Sequence, residues 1–172
     1  MSRAFVRESD DRPELPIARQ PSPLPLGAKN YVTPGGARRL REELRRRLEV
    51  ERPALASVVD SDPDARRQLL VLDQRIQQLD ESLQTAEVVP PPENNADTVR
   101  FGATVTVRRS TGEVDQYRIV GVDEIDLDRS WVSWLSPIAK TLMNAGQGER
   151  VRFQFPSGEE ELEIIDIVYE DL

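Results

Sequence analysis

Five apolar residues, Leu69, Leu72, Ile76, Leu79 and Leu83, recur at spacings of 3, 4, 3 and 4. A helix with this period carries a narrow apolar seam and needs a second helix to cover it. The partner is supplied just upstream. Thr33 before Pro34 reads as an N-cap with proline at the first helical position, and Leu40, Leu44, Leu48 and Leu55 follow along one side. Pro53 falls inside that pattern and predicts a kink or a helical restart, because proline lacks an N–H and its ring crowds the preceding turn. Residues 58–65, VVDSDPDA, have the polar, proline-containing chemistry of a tight connection. Residues 33–88 are therefore expected to form an antiparallel coiled-coil hairpin with Asp60, Asp62 and Asp64 at its tip.

Charge is unevenly spread along this hairpin. Residues 38–47, RRLREELRRR, hold six Arg against two Glu, while the tip carries only Asp. The basic cluster Arg38, Arg39, Arg41, Arg45, Arg46 and Arg47 admits two readings: a solvated face with local Arg–Glu pairs, or a patch that binds the phosphates of a nucleic acid. No aromatics are interleaved with it, which argues against base stacking. The three aspartates likewise admit two readings. They form turns and cap the next helix, with Asp64 before Ala65 as the candidate cap, or they offer oxygen ligands to a shared Mg²⁺ held mainly elsewhere. The spacing is not that of an EF-hand, because the central Gly and the final Glu are missing.

Outside the hairpin the pattern changes. Residues 1–32 contain five prolines at 13, 16, 21, 23 and 25 and few apolar residues, which reads as an unstructured leader or a peptide that docks on a partner. Pro90, Pro91 and Pro92 open a linker, 89–97. From 98 to 172 the period switches to strands: VRFGATVTV, the turn STGE, VDQYRIVG, then QGERVRFQFP, the turn SGEE and ELEIIDIVYE. SPIAKTLMNAG, 136–146, reads as one short helix capped by Ser136 and stopped by Gly146. The expected fold is α+β in two domains, the second a small antiparallel sheet with one helix. Trp131, Trp134, Phe153, Phe155 and Tyr169 are expected in its core or half-exposed on its sheet.

Composition excludes several functions. The chain has no Cys and no His, which removes disulfides, thiol chemistry, Cys-based metal sites and the commonest neutral-pH acid–base group. No run approaches the roughly 18 apolar residues of a membrane span, and the first residues lack an apolar signal core, so the expected location is the cytoplasm. The net charge of −8 disfavours direct binding to duplex DNA. Residues 97–172 hold 8 basic against 15 acidic groups, so the second domain carries most of that excess.

The order NYVTPGGARRLREEL, a helical hairpin, VRFGATVTV, YRIVGVDEID, SPIAKTL and GEEELEIIDIVYE resembles the bacterial GreA/GreB transcript-cleavage elongation factors over about residues 30–172. The MSRAFVRE opening and proline-rich leader add a likeness to the GreB branch. The resemblance implies an FKBP-like C-terminal domain and binding to RNA polymerase, with the hairpin entering the secondary channel. It implies that Asp123, Glu124 and Asp126, with Ser136, Pro137, Ile138 and Ala139, hold the polymerase. It implies tip acids beside the polymerase's catalytic Mg²⁺ in cleavage of backtracked RNA. No cofactor of its own, no small-molecule substrate and no free-standing enzymatic activity are expected.

The tip departs from the family pattern. Nothing here matches the family's Gly-Asp-Leu-x-Glu-Asn-Ala-Glu-Tyr-like motif, so the aspartates are candidates by position alone. Residues 52–89 are also shorter than in the family by about a dozen residues, roughly 9 Å of hairpin at about 1.5 Å per residue. Three readings follow: a cleavage factor that seats deeper in the channel, a Gre-like regulator that occupies the channel without cleaving, and a peptidyl-prolyl isomerase built on the FKBP-like domain.

Overall fold

The computed structural model describes residues 24–94 and 96–170. The chain opens with a short strand, β1 (Asn30–Val32), followed by helix α1 (Pro34–Arg46). A π-helical turn, Arg47–Glu51, leads into α2 (Arg52–Val58), and α3 (Pro63–Thr85) returns antiparallel to both. Strand β2 (Ala86–Val88) continues directly from α3 and pairs in parallel with β1. The two open ends of the hairpin are thereby tied together. Residues 1–23 of the expected leader lie outside the described residues; its last three form β1 rather than a tail.

The hairpin buries the expected seam. Leu72 and Leu79 are buried on α3, with Leu69, Ile76 and Leu83 half-buried between them. Val32, Ala37, Leu40 and Leu79 form its core, and Leu44, Leu83 and Ala86 pack around them. Thr33 caps α1 as expected, its hydroxyl accepting from Gly36 N–H at 2.9 Å. Leu48, placed in the seam from spacing, is 45% exposed. At about 100° per residue from Leu40 it lies about 80° off the seam, and half-buried Arg47 and Glu51 occupy the inner face instead. Pro53 accounts for the π-turn. Its missing N–H and its ring cannot follow a regular α-helix, and the chain widens by one residue just before it and restarts. The cap of α3 is Asp62, not Asp64: its Oδ1 accepts from Asp64 N–H at 2.9 Å, with Pro63 at the first helical position.

The second part of the chain is a five-stranded sheet in the order β5-β4-β3-β7-β6. Its strands are β3 (Ala103–Arg109), β4 (Val114–Val120), β5 (Trp131–Ser133), β6 (Arg150–Phe155) and β7 (Gly158–Tyr169), with α4 (Pro137–Leu142) after β5. The sheet is mixed, not purely antiparallel. The connection of residues 121–130 is long enough to cross over, and β5 lies parallel to β4. Val99, Val105, Val107, Ile119, Leu142 and Ile164 are fully buried in one core beneath α4. Ser136 caps α4, accepting from Ala139 N–H at 3.3 Å. The helix stops earlier than Gly146 because Asn144 takes the left-handed conformation at φ 67°. Strand β3 likewise begins later than expected, after Gly102 turns the chain at φ 86°. Among the described residues, no helix is long and apolar enough to cross a membrane.

Candidate functional site

Three surfaces carry the residues singled out from sequence. At the tip, Asp60, Asp62 and Asp64 are all exposed. Asp62 spends one carboxylate oxygen on the cap, and Asp64 lies 3.7 Å from Arg67. Among the described residues no group of three acids is arranged to hold a metal ion by itself. Carboxylate oxygens are the donor type that suits Mg²⁺.

The basic cluster is largely paired. Arg45 reaches Glu42 at 2.8 Å, Arg46 reaches Glu51 at 3.0 Å, and Arg47 spans Glu43 at 2.9 Å and Glu51 at 3.2 Å. Glu43 also receives Arg75 from α3 at 3.1 Å. Burial pushes the Glu43 carboxyl up, but Arg75 and Arg47 together outweigh it and hold it below the ordinary carboxylate value. Arg52 and Asp73 pair across the hairpin at 2.8 Å. Arg38 and Arg41 lie exposed on α1.

The third surface is where the hairpin base meets the sheet domain. Glu124 sits in a 3-10 turn, Val122–Glu124, with its side chain 1% exposed. One oxygen accepts from Thr33 N–H at 2.9 Å and from Gly121 N–H at 3.0 Å. The other accepts from the Thr33 hydroxyl and from Arg39 at 3.3 Å. Arg39 also lies over the Trp131 ring at 4.8 Å, with Arg118 at 4.9 Å. Asp123 accepts a hydrogen bond from Ser82 on α3. Glu124 and Asp123 thus hold the two domains together, and Glu124 presents nothing to a partner. Asp126 caps its own loop, accepting from Arg129 N–H at 3.2 Å. Sequence reasoning missed Thr33, Gly36 and Gly121 as parts of this junction. The available signal was the Gly35–Gly36 pair in the first turn of a helix, where glycine is costly unless another group comes close.

Of the other expected contact residues, Ala139 is buried in the core, Ser136 is a half-buried cap and Pro137 is exposed. Ile138 lines a pocket of about 230 Å³ with Tyr117, Phe153, Phe155 and Leu162, and Arg109 and Glu160 stand at its polar side. Arg109 pairs with Asp115 and, at 2.9 Å, with Glu160. The guanidinium is held firmly charged by the Asp115 hydrogen bond.

This chain is 37% identical over 154 residues to transcription elongation factor GreB of Neisseria meningitidis, covering 82% of this chain and 94% of that one. It belongs to the GreA/GreB family of transcription elongation factors. The family model "Transcription elongation factor, GreA/GreB, C-term" matches residues 93–169, the sheet domain described above. GreA of Alkalilimnicola ehrlichii is 38% identical over 156 residues, covering 83% of this chain and 99% of that protein. Among solved structures, a GreA/GreB factor from Nitrosomonas europaea aligns with a TM-score of 0.41 at 22% identity, over 83% of this chain and 99% of that one.

Proposed function

We propose that this GreA/GreB family member binds RNA polymerase through its sheet domain and extends its hairpin into the secondary channel to promote cleavage of backtracked RNA. The observation that carries this reading is an arm of two packed helices that ends in three exposed carboxylates and stands on the family's C-terminal domain. In this reading the arm is a coiled coil and the sheet domain is FKBP-like. Asp60, Asp62 and Asp64 are the residues that would offer carboxylate oxygens to the polymerase's Mg²⁺, which when bound would supply an activated water. The Ile138 pocket, with its apolar floor and the Arg109–Glu160 side, is the docking face. The basic cluster Arg38, Arg39, Arg41, Arg45, Arg46 and Arg47 is the face that meets nascent RNA in this reading. Such a role places the protein in the cytoplasm with the polymerase.

The test is RNA cleavage on a backtracked elongation complex, with the parent chain and with Asp60→Ala, Asp62→Asn and Asp64→Ala combined. Asn keeps the cap of α3. Cleavage that disappears in the variant while polymerase binding persists supports the reading. No cleavage by the parent chain, together with competition against a working cleavage factor, overturns it in favour of a channel-occupying regulator.

A further inference from the structure

From the helix geometry we infer that the π-turn Arg47–Glu51, with Pro53 behind it, is a positioning device that brings α2 back onto α3 and sets the direction in which Asp60 leaves α2, Asp62 and Asp64 being held by the cap and first turn of α3. The inference rests on the proposed function only for what the tip does; where the turn puts residues is independent of it. In a regular α-helix successive side chains advance by about 100°, from 3.6 residues per turn. Counted from buried Leu40, an uninterrupted helix would place Leu55 about 60° and Val59 about 100° away from the seam. Absorbing one extra residue takes off about 100° and returns both to the side facing α3. The structure agrees: Leu55 and Val59 are both half-buried.

The hydrogen bonding locates the extra residue. Arg52 N–H donates to Arg47 C=O, five residues back instead of four. The next residue, Pro53, has no N–H to continue the ladder. The polar girdle Glu43, Arg47, Glu51 and Arg75 then closes the inner face where the seam has no apolar side chain. Below the turn α2 contains only Arg52–Val58, so the phase set at Glu51 passes unchanged to Asp60. Pro53 is a positioning residue in this sense: it touches nothing at the tip, and it fixes how Asp60 leaves α2.

The chain contains no Cys, so introduced cysteines report without background. Leu55→Cys with Leu69→Cys, about one turn beyond the Arg52–Asp73 pair on each helix, is expected to link with a short bis-methanethiosulfonate, each thiolate displacing a methanesulfinate. Leu48→Cys with Ile76→Cys is expected not to. Deleting Val50 together with Pro53→Ala removes the surplus residue and leaves a regular helix of unchanged phase. That variant is expected to keep the Leu55–Leu69 link and cleavage within about twofold of the parent. Deleting Ala56 alone leaves the π-turn but rotates Asp60 by about 100°. It is expected to keep the link and polymerase competition and to lose cleavage at least tenfold. A Leu48–Ile76 link in the parent frame, loss of the Leu55–Leu69 link in the regularised variant, or full cleavage after Ala56 deletion would overturn the inference. Absence of cleavage by the parent chain itself would sink the proposed function instead, and the cross-links would still decide the geometry.

Discussion

Thr33 and Glu124, separated by 91 positions in sequence, meet at the junction of the two domains, where the Thr33 N–H donates to Glu124 Oε2 at 2.9 Å. The same carboxylate receives the Gly121 N–H, the Thr33 hydroxyl and Arg39. A buried carboxylate with four donors is strongly coupled to its surroundings, because removing it strands several of them without a partner. Glu124→Ala is expected to lower stability by about 3 kcal/mol, read as a shift in the urea midpoint, and to loosen the hairpin from the sheet.

Gly36 is there to let that carboxylate in. A Cβ at this position would lie 1.9 Å from Glu124 Oε1. Gly36→Ala is expected to cost about 2 kcal/mol despite alanine's better helix propensity. The Gly36→Ala, Glu124→Ala pair should cost clearly less than the sum of the two single changes. A strictly additive double-mutant cycle would show that the close approach is not what disfavours the alanine.

Acid should weaken the middle of the hairpin. Glu43 is held below the ordinary carboxylate value in the folded chain, so its contribution to stability is fully present above the unfolded carboxyl's value of about 4.3 and is lost as pH falls through the lower folded value. Glu43→Gln is expected to remove about 1 kcal/mol at neutral pH. The difference between parent and variant should shrink below about pH 4, measured by helical circular dichroism across a pH series.

Leu79 and Leu48 have the same side chain and opposite consequences. Leu79 is 1% exposed in the hairpin core, and Leu79→Ala is expected to cost about 3 kcal/mol. Leu48→Ala, at the exposed π-turn, should stay within about 0.5 kcal/mol. Equal losses in thermal unfolding would contradict the outward placement of Leu48.

Asp62 has a structural duty that Asp60 lacks. Asp62→Ala is expected to destabilise α3 by about 1 kcal/mol through loss of its cap, with Asp62→Asn close to neutral. Asp60→Ala should leave the melting temperature unchanged. A melting series of the three single variants separates capping from any effect on a partner.

Much of the arm was legible in the sequence, and the reasons are physical. The 3-4 spacing from Leu69 to Leu83 has few other solutions than a helix with a partner, and Thr33–Pro34 and Ser136–Pro137 announce their helices by local chemistry alone. Leu48 falls outside the seam because the four-residue steps from Leu40 through Leu44 drift about 40° each on a helix of 3.6 residues per turn, so the third leucine has left the inner face. The cap of α3 was legible in the same local chemistry, since Asp62–Pro63 has the cap-then-proline order that Asp64–Ala65 lacks. Strands β1 and β2 left no pattern, being three residues each and defined by each other across the whole hairpin. The junction role of the DEID segment was equally hidden: whether Glu124 faces outward or into the junction depends on contacts 91 residues away.

The parallel pairing of β1 with β2 has a consequence for how such an arm can change over generations. Because Asn30–Val32 lies alongside Ala86–Val88, the arm leaves and re-enters the body of the molecule at a single doorway. Whatever lies between Arg39 and Ser82, the last arm residues that bond the sheet domain, can be lengthened or shortened without altering the spacing of its two roots. The carrier domain is indifferent to the reach of what it carries.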